Sequence, residues 1–457
     1  MKVLKFGGTS VGTAESLAHV KEIVEALTEP AVVVVSALGG LTDKLISTAK
    51  LAAGGDASFR DEMERISERH HKIISDTVAP AKHKEVLAIV EPLLAELANL
   101  YKGVALIGTL PEQTLDQIVS YGERISSVIV SRIVEGAVHY DSLKIVKTEK
   151  WFNRNIADSA LTERLIRETI KPDAGRVAIC GGFIATDRDT GEITNLGRGG
   201  SDYTAALIAA ALNADILEIW TDVDGFMTAD PRIIPGARVI DTLSFVESME
   251  LCSFGAKVVY PPTIYPVFHK NIPIRILNTF RPERPGTLIA DPSKKKAEEI
   301  SARGVSVLRC VSLIELYGPG IENVPEINSR SFNALAKNGV SVLLVSQPTP
   351  AKPFSFAIAS ADSENALKAL YDEFAPDMEN GSVSEIRTLP EKAILAVVGE
   401  SIGSVRGIGA RISNTLQRAG IRVGASTHGA SSANHSCVVA ETDANEALRL
   451  VHEMFFE

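Results

Sequence analysis

Residues 2–36, KVLKFGGTSVGTAESLAHVKEIVEALTEPAVVVVS, read as strand, glycine turn, helix and strand. Residues 2–5 suit a short strand, and Gly7-Gly8 ends it at once. From Thr13 to about Glu29 the residues Leu17, Val20, Val24 and Leu27 recur at helical spacing and share one face. The run Ala31–Ser36 is almost wholly β-branched, the composition of a strand buried on both faces. Working outward, residues 56–105 are charged and helical in pattern, without strand signals. Beyond them apolar runs alternate with helical stretches: Arg176–Ile184, Tyr203–Leu212, Ile216–Trp220 and Ile274–Leu277. Such alternation implies an α/β sandwich with a largely parallel central sheet.

The character changes near residue 291, where DPSKKKAEE (Asp291–Glu299) reads as a linker. After it comes an internal repeat with an offset of 81 residues. Leu335-Ala-Lys-Asn-Gly339-Val340 pairs with Leu416-Gln-Arg-Ala-Gly420-Ile421, and Asp362-Ser-Glu-Asn-Ala366-Leu367 with Asp443-Ala-Asn-Glu-Ala447-Leu448. Ser355 pairs with Ser436 and Phe374 with Phe455. A constant offset means two copies of one unit without net insertion. Each copy reads strand, helix, strand, strand, helix.

The 457 residues carry 47 Lys plus Arg against 57 Asp plus Glu, a net charge of −10. That balance argues against a general nucleic-acid binder, though a few local cations can still attract a small anionic substrate. Cys180, Cys252, Cys310 and Cys437 stand apart, so neither a disulfide framework nor a zinc site is expected. The start MKVLKFGGTS has no signal-peptide core. The most apolar runs, Ala31–Val35 and Ala205–Leu212, are far short of the ~18 residues that cross a bilayer. A reduced, soluble, cytoplasmic protein with no membrane partner is the expectation.

Five segments carry chemistry. In Lys5-Phe6-Gly7-Gly8-Thr9-Ser10 the adjacent glycines present bare N–H groups to an anion, the following helix adds its positive end, and Lys5 adds a full charge. Alone, this turn would read as a strand-to-helix connection with a solvated lysine. Asn195-Leu196-Gly197-Arg198-Gly199-Gly200-Ser201-Asp202 puts three glycines, an arginine and an aspartate at a second helix start. Asp202 alone could be an N-cap, but a cap needs neither the glycines nor the arginine. Two such turns in one domain suggest two arms around a polyphosphate. Trp220-Thr221-Asp222-Val223-Asp224-Gly225-Phe226-Met227, with Asp230-Pro231-Arg232 after it, leaves a strand at its C-terminal end, where α/β sheets bind ligands. Phe254-Gly255-Ala256-Lys257 and Val119-Ser120-Tyr121-Gly122-Glu123-Arg124 would each be bland in isolation.

In this order the five segments resemble the aspartate kinases of the amino-acid kinase family. The resemblance also takes in VVVVSALGGLTDKL (residues 32–45), SFGAKVVYPPTI (253–264) and NTFRPERPGTLI (278–289). The tandem repeat resembles that family's paired ACT domains. It implies a catalytic domain over 1–290, a linker over 291–305, and ACT-like modules over 306–385 and 386–457. It implies transfer of the ATP γ-phosphoryl to the side-chain carboxylate of L-aspartate, the first step toward lysine, threonine and methionine. Lys5 would bind the transferring phosphate and Asp202 would assist at the reaction centre. Arg198 would take the α-carboxylate of aspartate and Glu123 its amino group, with Thr42 and Ser201 lining the same pocket. Gly7, Gly8, Thr221, Asp222, Met227, Arg232 and Lys257 would join Lys5 in the nucleotide site. Mg²⁺ would ride with ATP, with no dedicated protein metal cage. Phe226-Met227 departs from the family, which usually has an aromatic at the second position.

An already ionised carboxylate needs no strong base to attack phosphorus, so positioning and charge neutralisation suffice. Arginine suits a carboxylate through its bidentate donors, and a glutamate suits an ammonium. Two other readings stand beside this one: an amino-acid kinase for a different acid or phosphate, and a catalytically silent amino-acid sensor. Intact Lys5 and Asp202 argue against the sensor. Some relatives carry a fused homoserine dehydrogenase, and no dinucleotide-binding unit follows the repeat before Glu457. By family analogy the modules form a homodimer and bind an amino-acid effector near Gly318, Gly320, Ser346, Gln347, Thr427 and His428. Leu343 replaces the aspartate of lysine-sensitive relatives, and Gln347 resembles the glutamine of threonine-sensitive ones, so threonine is expected over lysine. Pro348–Lys352 replaces the family's usual Ser-rich turn.

Overall fold

The computed structural model describes residues 1–151, 154–171, 177–291, 302–319, 324–346, 354–400, 402–404, 406–428 and 433–457. The chain forms two compact units. One holds Met1–Phe226, Val239–Phe245 and Val258–Pro292, the other Met227–Arg238, Val246–Lys257 and Ser293–Glu457.

In chain order the first part runs β1 (Lys2–Phe6), α1 (Ala14–Glu25), β2 (Ala31–Val35), α2 (Leu41–Ala53), α3 (Phe59–Thr77), α4 (His83–Ile107), α5 (Glu112–Ile133), β3 (Val138–Tyr140), α6 (Ser142–Ile145), β4 (Lys147–Trp151) and β5 (Arg154–Ala157). It continues through α7 (Ser159–Thr169), β6 (Val177–Gly181), β7 (Ile184–Asp187), β8 (Ile193–Asn195), α8 (Gly200–Leu212), β9 (Ile216–Thr221), β10 (Thr242–Leu243), α9 (Phe245–Ser253), α10 (Ile264–Phe268), β11 (Ile274–Asn278) and β12 (Thr287–Ile289).

The central sheet has the order β10-β12-β11-β9-β1-β2-β6-β3 and is parallel except between β11 and β12. All five residues of β2 are fully buried, as their β-branched run requires. The register aligns Phe6 with Val35 and Trp220, and Val35 with Gly181, so four strands end in one row. That row of C-terminal ends is where open α/β sheets place ligands. In α1 a capping box between Thr13 and Ser16 starts the helix, which ends at Glu25, four residues before the apolar pattern suggested. Pro30 disfavours helix just ahead of it, yet Leu27 still packs against the core. A second, four-stranded sheet, β5-β4-β7-β8, was not anticipated: its strands have three to five residues and half-polar faces, too short for a periodicity to show.

The second unit contains β13 (Gly304–Tyr317), α11 (Val324–Lys337), β14 (Val342–Ser346), β15 (Phe354–Ala359), α12 (Ser363–Glu379), β16 (Glu385–Val398), α13 (Ile408–Arg418), β17 (Ala425–His428), β18 (Asn434–Ala440) and α14 (Ala444–Phe456). One antiparallel sheet, β14-β15-β13-β16-β18-β17, joins them, and its edge strands β14 and β17 touch. The repeat is visible in fine detail. β13 and β16 have 14 residues each, Cys310 and Glu391 both take φ 55°, and Gly339 (φ 72°) matches Gly420 (φ 77°). Each long strand serves two cores. Ile314, Leu316 and Ile386 pack with α11 and α12, whereas Val305, Ala393, Leu395 and Val397 pack with α13 and α14. A cut between 385 and 386 therefore does not separate the cores. Ala229 and Ile234 join the second of them, the Val305 amide donates to the Thr228 carbonyl at 2.8 Å, and the Thr228 hydroxyl meets His452 Nε2 at 3.0 Å. Of the expected linker, 291 and 302–305 are described, and β13 already begins at Gly304. Among the described residues no helix is long and apolar enough to cross a membrane.

Candidate active site

A cavity of about 390 Å³ opens at the row of strand ends in the first unit. Lys5, Gly8, Ser36–Gly40, Thr42, Asp43, Glu123, Phe183, Gly197–Gly200, Ser201 and Asp202 line it. Two turns far apart in the chain thus meet, and Lys5 Nζ pairs with Asp202 Oδ1 at 2.5 Å. Lys5 is placed by the pairing of β1 between β2 and β9, Asp202 by the first turn of α8. The amide of Gly7 donates to the Trp220 carbonyl at 3.1 Å and closes the turn after β1. Gly197 (φ 70°) and Gly199 (φ 68°) are left-handed, and a Cβ on Gly199 would stand 2.3 Å from Tyr260. The Asn195 carboxamide accepts from the Gly197 amide at 2.8 Å and donates to Asp116 at 2.6 Å, which holds the base of the turn carrying Arg198. Arg198 itself is exposed at the rim.

Glu123 lies on α5 and is only 3% exposed. Burial pushes its carboxyl up to about 8, against the opposing pull of the Ala37 and Glu123 backbone amides and the Lys5 charge. Its Oε2 is buried without a hydrogen-bond partner, and Glu123 is among the residues that line the cavity. A buried acceptor of this kind is costly unless a ligand donor completes it. Gly122 and Gly181 permit the approach: a Cβ on Gly122 would sit 2.6 Å from Ala37 Cβ, and one on Gly181 3.0 Å from the Glu123 carbonyl.

Other expected residues lie elsewhere. Thr221 and Asp222 follow β9, and the Thr221 hydroxyl donates to Asp222 at 3.2 Å; neither lines the cavity. Met227, Arg232 and Lys257 belong to the second unit and are not among the residues that line the cavity. Arg232 forks onto Asp230 at 2.6 Å and is 83% exposed. Phe226 is fully buried and its amide donates to the Thr287 hydroxyl at 2.9 Å, so this aromatic serves the core. Of the effector candidates, Gly320 and Gln347 lie outside the described residues. Gly318 has a packing reason, since a Cβ there would meet the Ser382 carbonyl at 2.2 Å. Ser346 and Thr427 lie on the edge strands that touch, as does His428 at the end of β17.

Sequence reasoning missed Asp43 and the Gly182-Phe183 turn. The Gly182 amide donates to the Val35 carbonyl at 2.8 Å, and Phe183 takes φ 67° while its amide donates to the Thr204 hydroxyl at 3.0 Å. A Cβ on Gly182 would sit 2.5 Å from both Ser201 Cα and Cβ. The Gly181-Gly182 pair after an apolar run was the available signal. Gly182→Ala is expected to push the start of α8 outward and to lower turnover ~10²-fold, the scale of a 1 Å misplacement. Steady-state kinetics beside a melting curve check this, with stability falling only ~1–3 kcal/mol.

A mostly parallel sheet whose strand ends gather a lysine, two glycine turns and a helix N-terminus is a setting suited to phosphate groups. The chain belongs to the amino acid kinase family, whose model matches residues 1–278, and an ACT domain model matches 314–374 and 395–455. It is 32% identical to the bifunctional aspartokinase/homoserine dehydrogenase of Haemophilus influenzae, over 100% of this chain and 56% of that protein. The chain spans about half the length of the bifunctional relatives it matches. Aspartokinase 1 of the Arabidopsis thaliana chloroplast is 29% identical over 100% of this chain and 80% of its own length. Escherichia coli aspartokinase III, solved with aspartate and ADP, superposes with a TM-score of 0.85 at 27% identity, covering 100% of both chains.

Proposed function

We propose that the chain is an aspartate kinase working in the cytoplasm. It transfers the γ-phosphoryl of ATP to the side-chain carboxylate of L-aspartate, giving 4-phospho-L-aspartate and ADP, toward lysine, threonine and methionine. The observation that carries the reading is one cavity holding the Lys5–Asp202 pair beside the buried Glu123 carboxyl, whose Oε2 has no hydrogen-bond partner, with Arg198 at its rim. The likeness to an aspartokinase solved with aspartate and ADP supports it.

The substrate's side-chain carboxylate oxygen attacks phosphorus as the bond to the ADP oxygen breaks, and no proton need move. Lys5 offsets charge on the phosphoryl oxygens, the glycine turns offer amides, and Asp202 keeps the Lys5 ammonium aimed. Glu123 takes the α-ammonium and Arg198 the α-carboxylate, so the reacting carboxylate is held toward Lys5. The carboxylate oxygens of Asp202 suit a hard cation, and Mg²⁺ held there with the ATP phosphates would neutralise charge on the transferring group. ATP-dependent acyl-phosphate formation, trapped with hydroxylamine, is expected with aspartate and not with glutamate or with acceptor omitted. Equal trapping with glutamate would favour a different amino-acid kinase, and none with any acceptor would favour the silent sensor.

The second unit is proposed to bind an amino-acid effector and to pair in a homodimer through its modules. Escherichia coli aspartokinase III has been solved with lysine and aspartate. Here Leu343 packs against an apolar cluster of Val311, Leu344 and Val438, which is no setting for a lysine ammonium. Threonine is therefore expected to inhibit at concentrations where lysine leaves turnover unchanged. Inhibition curves decide it, and strong lysine inhibition with a flat threonine response overturns the choice.

A further inference from the structure

Two cavity-lining turns, Gly7–Gly12 and Ala37–Gly40, lie back to back. A Cβ on Gly8 would stand 3.1 Å from the Ala37 carbonyl oxygen, one on Gly12 3.3 Å from the Gly39 amide nitrogen, and one on Gly39 3.0 Å from the Gly8 carbonyl oxygen. Backbone contact this close leaves no room for side chains between the glycines themselves, while Val11, Ala37 and Leu38 anchor the two turns in the core beneath. The Ser36 amide ties the second turn to Phe6 at its base, at 3.1 Å. Farther out, the half-buried Arg69 of α3 reaches both turns. Its Nη2 donates to the Gly12 carbonyl at 3.1 Å and to the Gly39 carbonyl at 2.9 Å. One planar, permanently charged group thus bonds residues 57 and 30 positions away. Because the peptide is trans and planar, fixing the Gly39 carbonyl also fixes the Gly40 amide at the entrance to α2.

We propose that Arg69 is a positioning residue that clamps the two glycine turns in one register, so that the phosphate-facing and amino-acid-facing walls of the cavity keep the spacing phosphoryl transfer needs. The inference rests on the aspartate kinase reading for its kinetic consequence but not for the clamp itself. Arg69 does not line the cavity, so it touches neither substrate and acts through the backbone it holds. Losing the clamp should loosen the spacing between the walls while each wall keeps its own groups. Turnover then suffers more than either substrate's KM.

The test compares the wild-type chain with Arg69→Met, which keeps the stem and loses the donors, and with Arg69→Lys, which keeps charge and a donor. Amide hydrogen exchange is followed in peptides covering 5–13 and 36–42, beside steady-state kinetics. In Arg69→Met, exchange in both peptides is expected to rise ~10-fold with the rest of the chain unchanged, the mark of a local opening. Its kcat is expected to fall ~10–100-fold with both KM values within ~3-fold, and Arg69→Lys to recover most of it. Unchanged exchange in the two peptides, a uniform rise across the chain, or an Arg69→Lys as impaired as Arg69→Met would overturn the clamp. A wild-type chain that does not phosphorylate aspartate would refute the proposed function, and the exchange result would still decide the clamp.

Discussion

Lys5→Ala is expected to abolish nearly all phosphoryl transfer while leaving the fold intact. Lys5 stands at the end of the central strand with its Nζ 2.5 Å from Asp202, so its charge is already aimed before any substrate arrives. Such preorganised charge acts on a phosphoryl group spreading negative charge over its oxygens, and its loss costs on the order of 3–4 kcal/mol, roughly 10²–10³ in rate. The backbone at Lys5 is held by β2 and β9 whatever the side chain, which is why stability should hardly move. Asp202 loses its partner at the cavity wall rather than deep in the core. Single-turnover kinetics on a variant with a wild-type melting curve check the expectation, and normal turnover there would sink the assignment of Lys5.

Glu123→Gln is expected to raise the KM for aspartate by about 10²-fold or more with the KM for ATP unchanged, since a desolvated charged partner is worth about 2–5 kcal/mol. The wild-type protein should also show a pH signature. Burial lifts the Glu123 carboxyl from its ordinary 4.5 to about 8, so the free enzyme carries it protonated at neutral pH. Aspartate brings an ammonium that favours the ionised form, so apparent affinity should rise as pH climbs through about 7 to 8 and be flat in Glu123→Gln. The stability sign is opposite. Between 4.5 and about 8 the native state holds a proton the unfolded chain has released, so this group's contribution falls as pH rises through that window. Glu123→Gln lacks the loss and should gain on the wild type in melting temperature from pH 5 to pH 9. Parallel pH curves for the two proteins would show that Glu123 is not the titrating group.

Much of the molecule was legible because its signals are local. The all-buried Ala31–Val35, the Thr13 start of α1 and the glycine turns each follow from neighbours in the chain, the 81-residue repeat follows from comparing the chain with itself, and each is present. The small sheet β5-β4-β7-β8 was hidden because its strands are too short for alternation to show. Phe226 shows the same limit at one residue: nothing in its loop motif tells that the ring is fully buried and its amide bonded to the Thr287 hydroxyl. Phe183 at φ 67° and the Arg69 bonds have no sequence pattern, because left-handed backbone at a non-glycine and a bond across 57 residues are imposed by surroundings.

Composition, periodicity and repeat sufficed to determine a largely parallel α/β domain, a duplicated α+β partner, and two cation-bearing glycine turns suited to phosphate. Only the tertiary structure decided that Lys5 and Asp202 meet, that Glu123 is buried enough to hold its proton to about 8, and that the long strands β13 and β16 each serve both regulatory cores. The reason is physical. Periodicity records which face of an element is buried, whereas desolvation, ion pairing and shared cores depend on which distant segments are brought within a few ångströms of each other.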